Sequence, residues 1–162
     1  MENPSKGGLI MLSNTLDYPQ MPPLTQEEIE IFLSQPLIAK LGTINEDGTI
    51  HMAPVIFKYE NGEFIVGTQD ANRRVRNIKR TPIVSLLIDD PTPPFKAVLV
   101  YATAELDYEE VPQKRITIFE KYNPKEQAIQ MAEGLCAKWS SVIIRIRPDR
   151  IVSFDYSKAP ML

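Results

Sequence analysis

The stretch TQDANRRVRNIKRTP, residues 68–82, concentrates positive charge in a chain whose formal net charge is −3. Five cationic side chains fall within eight positions: Arg73, Arg74, Arg76, Lys79 and Arg80. An apolar strand pattern ends at Thr68 and a helical pattern begins near Asn72, so the first amides of that helix are expected to be free. Such a helix end attracts anions, and the planar fork of arginine donates two parallel hydrogen bonds to phosphate. The pattern therefore indicates a site for one terminal phosphate group.

The same run also fits a plain solvated helix face. Basic residues on surface helices usually only meet water, and Val75 and Ile78 would supply the apolar side of a short amphipathic helix. Spacing alone leaves both interpretations open. We expect the three later cations of the run to belong to the solvated face even if Arg73 and Arg74 bind an anion.

Composition narrows the classes of protein to which the chain could belong. Its 162 residues, 43% of them hydrophobic, fit one domain. A sequence pI near 5.3 argues against nucleic-acid binding, and no apolar stretch approaches the ~20 residues of a membrane span.

One cysteine, Cys136, and no secretory signal predict a cytoplasmic protein. We expect no metal site, since zinc usually needs several ligands and His51 is the only histidine.

The elements that must position the basic run begin with a capped helix. TQEE at 25–28 is a capping box that opens a helix of about ten residues. Strand patterns then occur at 37–44, 50–59, 63–68, 83–89, 96–106, 139–147 and 150–156, with helical patterns between 111 and 135. Asp-Gly and Asn-Gly steps predict tight hairpins early in this series. We predict a mainly β fold with short helices, in which an antiparallel sheet closes into a small barrel.

The ordered set of patterns resembles a known family. LIAKLGTINEDGTIHMAPVIFKYENGEFIVGTQDANRRVRNIKRTPIVSLLIDD looks like the core of the pyridoxamine 5′-phosphate oxidase-like flavin-binding proteins, and VLVYATAEL and WSSVIIRIRPDRIVSFDYSK resemble the following strand and closing hairpin. The resemblance covers roughly residues 25–158. It implies a six-stranded antiparallel split β-barrel of the FMN-binding type over 25–162, preceded by an irregular arm at 1–24. It also implies a homodimer with FMN, or the deazaflavin F420, in two clefts between subunits.

The resemblance assigns residues to the cofactor as well. The strand matching 53–58 would line the isoalloxazine ring, the strand end at Thr68 would contact the ring or ribityl chain, and the helix start would hold the phosphate. Asn72 stands where the family has a small hydroxyl and Arg74 where it has a lysine, and both can donate to phosphate. The implied cofactor-binding residues are Pro54, Val55, Ile56, Phe57, Lys58, Thr68, Gln69, Asn72, Arg73, Arg74 and Asn77.

The function that the resemblance implies is a flavin-dependent oxidoreductase acting on a small molecule. Two alternatives stay open. One is an F420-dependent reductase on the same fold, in which Lys79 and Arg80 would meet the longer tail. The other is a non-enzymatic flavin- or haem-binding module. No catalytic residue is assigned, because hydride or electron transfer belongs to the flavin itself.

Overall fold

The computed structural model describes residues 11–12 and 21–159. These residues form eight strands, four α-helices and one short 3₁₀-helix, Tyr156–Lys158. The strands are β1 (Met11–Leu12), β2 (Ala39–Ile44), β3 (Ile50–Val55), β4 (Lys58–Glu60), β5 (Glu63–Gln69), β6 (Ile83–Asp90), β7 (Lys96–Asp107) and β8 (Ser141–Asp155). The helices are α1 (Gln26–Ser34), α2 (Arg73–Arg80), α3 (Val111–Glu120) and α4 (Lys125–Lys138). Of the predicted arm, residues 1–10 and 13–20 lie outside the described residues.

The strands form one sheet with the order β3-β2-β6-β7-β8-β5-β4, and β1 pairs in parallel with β8 beside this path. Every pair along the path is antiparallel. The prediction of a mainly antiparallel β fold with short helices is therefore confirmed. The strand number differs, since the path has seven strands within the described residues rather than six.

The seven predicted strand patterns and the seven strands of the path differ in two places, and the first is the predicted strand 50–59, which divides. Ile56 and Phe57 belong to neither β3 nor β4, and these two strands stand at opposite ends of the hydrogen-bonded path. Two intervening residues can separate the strand ends by at most about 11 Å. The sheet must therefore curl until its two ends meet, which produces a half-barrel. The prediction of one continuous strand over 50–59 was wrong at this crossing.

The predicted closing hairpin at 139–156 was also wrong, because β8 runs without a turn from Ser141 to Asp155. Its long partner β7 pairs with it through the RPDR segment, 147–150, and on both sides of it. Tyr101 faces Arg150 and Ala102 faces Pro148, so Asp149 is the extra residue of a β-bulge. A bulge accommodates a proline that cannot donate to the ladder, whereas the sequence pattern resembles a turn.

Local signals in the first half of the chain are confirmed. The Thr25 hydroxyl accepts from the Glu28 amide at 3.2 Å, and the Glu28 carboxylate accepts from the Thr25 amide at 2.8 Å, which completes the capping box. The β4–β5 hairpin turns through Asn61 and Gly62, whose φ angles of 53° and 76° require residues that tolerate the left-handed region. These signals could be read correctly because each involves only neighbours in sequence.

The crossing between β3 and β4 is held by α3 and the residues after it. Phe57 is fully buried, and its ring lies 5.7 Å from that of Phe64. Lys121 donates to the Leu33 carbonyl at 2.8 Å and to the Phe57 carbonyl at 3.2 Å. The Tyr122 hydroxyl accepts from the Phe57 amide at 3.3 Å. The backbone of the crossing, which has no strand partner, thus obtains its hydrogen bonds from side chains.

No helix within residues 21–159 is both long enough and apolar enough to pass through a lipid bilayer.

Burial of the Lys121 ammonium predicts a specific pH dependence of stability. Desolvation lowers the pKa of Lys121 from 10.5 to about 8. Above pH 8 the folded protein releases this proton while the unfolded chain keeps it until about pH 10.5, so the free energy of unfolding gains a contribution that rises with pH. We expect the stability of the unmodified protein relative to Lys121→Met, measured by urea unfolding, to increase between pH 8 and 10.

The matched control is Lys125→Met, at an exposed position on α4. Its stability relative to the unmodified protein should stay constant across the same pH range. A difference for Lys121→Met that is equally constant would show that the folded protein does not depress this pKa.

Candidate functional site

The end of β5 and the start of α2 form an anion-attracting turn. Asn72 is the N-cap residue of α2, yet its side chain makes no capping bond and instead donates to the Thr68 hydroxyl at 2.7 Å. The first turn carries no acidic residue. The amides of Arg73 and Arg74 have no intrahelical acceptor at these positions. The positive end of α2 therefore stays available to an external acceptor.

This turn forms part of a cavity of about 280 Å³. The other walls come from the end of β3 and the residue after it, from the last turns of α3, and from the interior of β5. The cavity is lined by Pro54, Val55, Ile56, Gly67, Thr68, Gln69, Asn72, Arg74, Arg115, Ile118 and Phe119. The lining combines apolar side chains with two arginines, an arrangement typical of a small-molecule site.

The two arginines of this cavity have incomplete hydrogen bonding. The Nε atoms of Arg74 and Arg115 are buried and have no partner among the described residues. Burial lowers the pKa of both guanidinium groups. A buried N–H group without an acceptor costs free energy, and native structures rarely leave one unpaired. The cavity therefore has the donors for an anionic ligand.

Seven of the eleven residues assigned from the sequence line this one cavity. They are Pro54, Val55, Ile56, Thr68, Gln69, Asn72 and Arg74. They come from two segments that are far apart in the strand order, and the curl of the sheet brings them together.

The other four assigned residues lie elsewhere. Phe57 is in the core, and Lys58 is 3.4 Å from the Glu60 carboxylate. Arg73 is exposed and does not line the cavity. Asn77 is buried under α2, where its amide donates to Thr43 at 3.0 Å and to the side chain of residue 45 at 2.9 Å. A cofactor contact by any of the four stays a prediction.

Sequence reasoning missed the contribution of α3, which places Arg115, Ile118 and Phe119 in the cavity wall. The pattern over 111–120 predicts a packing helix, and nothing in its spacing shows on what it packs. Two signals were available: a charged residue within the otherwise apolar face of α3, and Gly67 inside a strand, where glycine often marks a close approach.

Other candidate groups do not join the site. His51 lies on β3 but does not line the cavity. Within residues 21–159 and the short strand β1, no three histidine, cysteine or acidic residues group closely enough to hold a metal ion. The candidate site thus consists of the residues that line the cavity.

The fold and this site agree with a family assignment. The family model described as pyridoxamine 5′-phosphate oxidase matches residues 25–151. This match covers most of the chain, so the chain belongs to the pyridoxamine 5′-phosphate oxidase-like family, and the resemblance read from the sequence is confirmed. A search of the curated proteins gives no significant match.

Several solved structures share the fold. A conserved hypothetical protein, Rv2991 from Mycobacterium tuberculosis, is 23% identical with a TM-score of 0.73, and the match covers 88% of this chain and 92% of that one. A structure described as an F420 reductase is 22% identical with a TM-score of 0.61, covering 75% and 94%. HutZ, a haem storage protein from Vibrio cholerae, is 17% identical with a TM-score of 0.62, covering 80% and 93%. These likenesses establish the fold of the chain.

The hydrogen bonds of Asn77 predict a structural effect of its removal. Asn77→Ala would leave the buried Thr43 hydroxyl without its donor and would loosen the packing of α2 on β2. We expect a loss of about 1–3 kcal/mol in the free energy of unfolding, measured with urea. Arg76→Ala, an exposed change on the same helix, should alter stability by less than about 0.5 kcal/mol. Equal stabilities of the two variants would contradict this role.

Proposed function

We propose that the chain is a flavin-dependent oxidoreductase that binds FMN in the cavity between β3, β5, α2 and α3. The observation that carries this proposal is the buried Nε of Arg74, which lacks a partner among the described residues and lies in the same cavity as the uncapped start of α2. A phosphate monoester offers several acceptor oxygens and two negative charges. It would satisfy the arginine and the free amides together.

The apolar residues of the cavity lining would contact the isoalloxazine ring. Ile118 and Phe119 contribute side-chain surface from α3, and Val55 and Ile56 contribute it from the end of β3 and the residue after it. No other described strand pairs with β3 beyond β2, so backbone groups on its other side remain available to the polar edge of a ring. Thr68 and Gln69 line the same cavity, and we propose that the ribityl chain contacts them.

The bound flavin would supply hydride or electron transfer, and the chain would supply binding and orientation. Arg74 and the start of α2 would fix the phosphate end. The side chains of α3 would exclude water from one face of the ring. This arrangement needs no acid or base from the protein, and we propose that the reaction partner is a small molecule in the cytoplasm.

Two observations favour FMN over the alternative cofactors. Arg80 already donates to the Ile44 carbonyl at 2.7 Å, and Lys79 is 4.0 Å from the Asp70 carboxylate. Neither cation lines the cavity, so the longer anionic tail of F420 would not meet them there. Haem would need an axial ligand such as histidine, cysteine, methionine or tyrosine, and the cavity lining contains none of these.

We also propose that two copies of the chain associate through the outer face of β2, β3 and β6. Ile50 and Met52 of β3 and Ile83 of β6 are all more than half exposed on this face. The side chain of Met52 lies over Gly42, where an added Cβ would come within 3.1 Å of its sulfur. Pro54 continues the same face into the cavity, so a second copy would complete the walls around a flavin. The cavity of one copy, at 280 Å³, is slightly smaller than the ~300–1,000 Å³ of most ligand sites.

Cofactor titration tests the flavin proposal. We expect the purified protein to bind FMN more tightly than riboflavin, measured by quenching of flavin fluorescence. Arg74→Ala should weaken FMN binding by about 1.5–3 kcal/mol, the scale of a hydrogen bond to a charged group, and should leave riboflavin binding unchanged. Arg76→Ala is the control, since this arginine lies outside the cavity.

Equal affinity for FMN and riboflavin would contradict the proposal that the protein binds the phosphate of FMN. Tighter binding of F420 than of FMN would instead establish the alternative cofactor on the same fold.

The association of two copies can be tested by sedimentation. Ile83→Lys places a charge on the apolar face and should convert a dimer into a monomer at micromolar concentration. Ile31→Lys on α1 is the matched control, because Ile31 is 57% exposed and Ile83 is 61% exposed. A monomeric unmodified protein would contradict the shared site, as would dissociation by both substitutions.

A further inference from the structure

Arg115 on α3 is the most enclosed cation of the cavity. It is only 7% exposed, and its Nε has no partner among the described residues. The Nη1 atom donates to the Ser141 hydroxyl at 2.9 Å, and the guanidinium carbon lies 5.9 Å from the centre of the Phe119 ring. The Ser141 bond uses neither Nε nor Nη2. These two atoms form the side-on edge through which arginine binds phosphate with two parallel bonds.

The interior of β5 is shaped to receive this side chain. A Cβ added to Gly67 would lie 3.0 Å from Arg115 Cγ and 3.1 Å from its Nε, closer than ordinary packing allows. The absence of a side chain at residue 67 thus lets the arginine lie across the strand. Gly67 and Arg115 both line the cavity that contains Arg74.

We propose that Arg115 is a second anion ligand of the cavity, which binds the cofactor's terminal phosphate together with Arg74 and the start of α2. The inference rests on the proposed function and extends it to a residue outside the strand-to-helix turn. Arginines from two helices would then surround one dianionic group. This arrangement favours a terminal phosphate over an uncharged or singly charged ligand end.

A purely structural role for Arg115 makes a different prediction. In that case the single bond to Ser141 and the contact with Phe119 hold α3 against β5. Removing the arginine would then lower stability and would affect the binding of FMN and riboflavin equally. If Arg115 instead binds the phosphate, its removal should weaken only the binding of molecules that carry a phosphate.

The test compares Arg115→Met with the full-length unmodified protein, using FMN, riboflavin and inorganic phosphate as probes. Flavin affinities come from fluorescence quenching and phosphate affinity from calorimetry. We expect Arg115→Met to bind FMN about 10- to 100-fold more weakly, with unchanged riboflavin binding and lost phosphate binding. Lys114→Met on the same helix is the control, because Lys114 pairs with Asp107 at 2.7 Å outside this cavity. It should leave all three affinities unchanged.

Gly67→Ala provides a second variant that retains every charge. The new methyl group would displace the arginine stem, so FMN binding should weaken several-fold in the unmodified background and change little when Arg115→Ala, which removes the contacting Cγ, is also present. Equal effects in both backgrounds would show that Gly67 acts independently of Arg115.

The outcomes separate this inference from the proposed function. A preference for FMN over riboflavin that is undiminished in Arg115→Met would overturn the inference and leave the FMN site intact. Phosphate binding that depends on Arg115, without any flavin binding, would support the anion ligand and overturn the flavin assignment. Binding of neither FMN nor phosphate by the unmodified protein would overturn both.

Discussion

The two-residue passage between β3 and β4 is the constraint on which the rest of the structure depends. Ile56 and Phe57 connect strands at opposite ends of the sheet, so the sheet has to curl. This passage has no strand partner, and its backbone bonds come from Lys121 and Tyr122. The same passage turns Ile56 toward the cavity while Phe57 enters the core. The same two residues therefore take part both in closing the fold and in forming the candidate site.

The helices after β7 connect stability with binding. At its C-terminal end, the segment from α3 to Tyr122 accepts a hydrogen bond from the backbone of the crossing between β3 and β4. Within α3, Arg115 and Phe119 form part of the cavity wall. A partly buried lysine and a buried arginine on one short segment are costly unless each finds acceptors. Lys121 finds them in two backbone carbonyls, whereas the Nε of Arg115 has none among the described residues. This difference separates a group that completes the fold from one that we propose binds a ligand.

The basic run divides in the same way. Arg80 donates to the Ile44 carbonyl and the Asn77 side chain, which fastens α2 to β2. Lys79 lies near Asp70, and Arg76 is exposed. Arg74 alone of the five cations lines the cavity. The net negative charge of the chain is thus compatible with a local anion site, because one well-placed arginine and a helix end do not require a basic surface.

The sequence by itself determined the features that depend on neighbouring residues: the capping box at Thr25, the hairpin at Asn61–Gly62, the strand-to-helix turn before Arg73, and through their order the family. Only the tertiary structure decided which distant segments meet. It divided the predicted strand 50–59 and joined the last two predicted strands into one bulged strand, 141–155. It placed the side chain of Asn77 between α2 and β2 rather than in the cavity. It also brought α3 and Arg115 to the site. Local patterns reflect backbone preferences within a few residues, whereas contacts between distant segments depend on how the whole sheet curls.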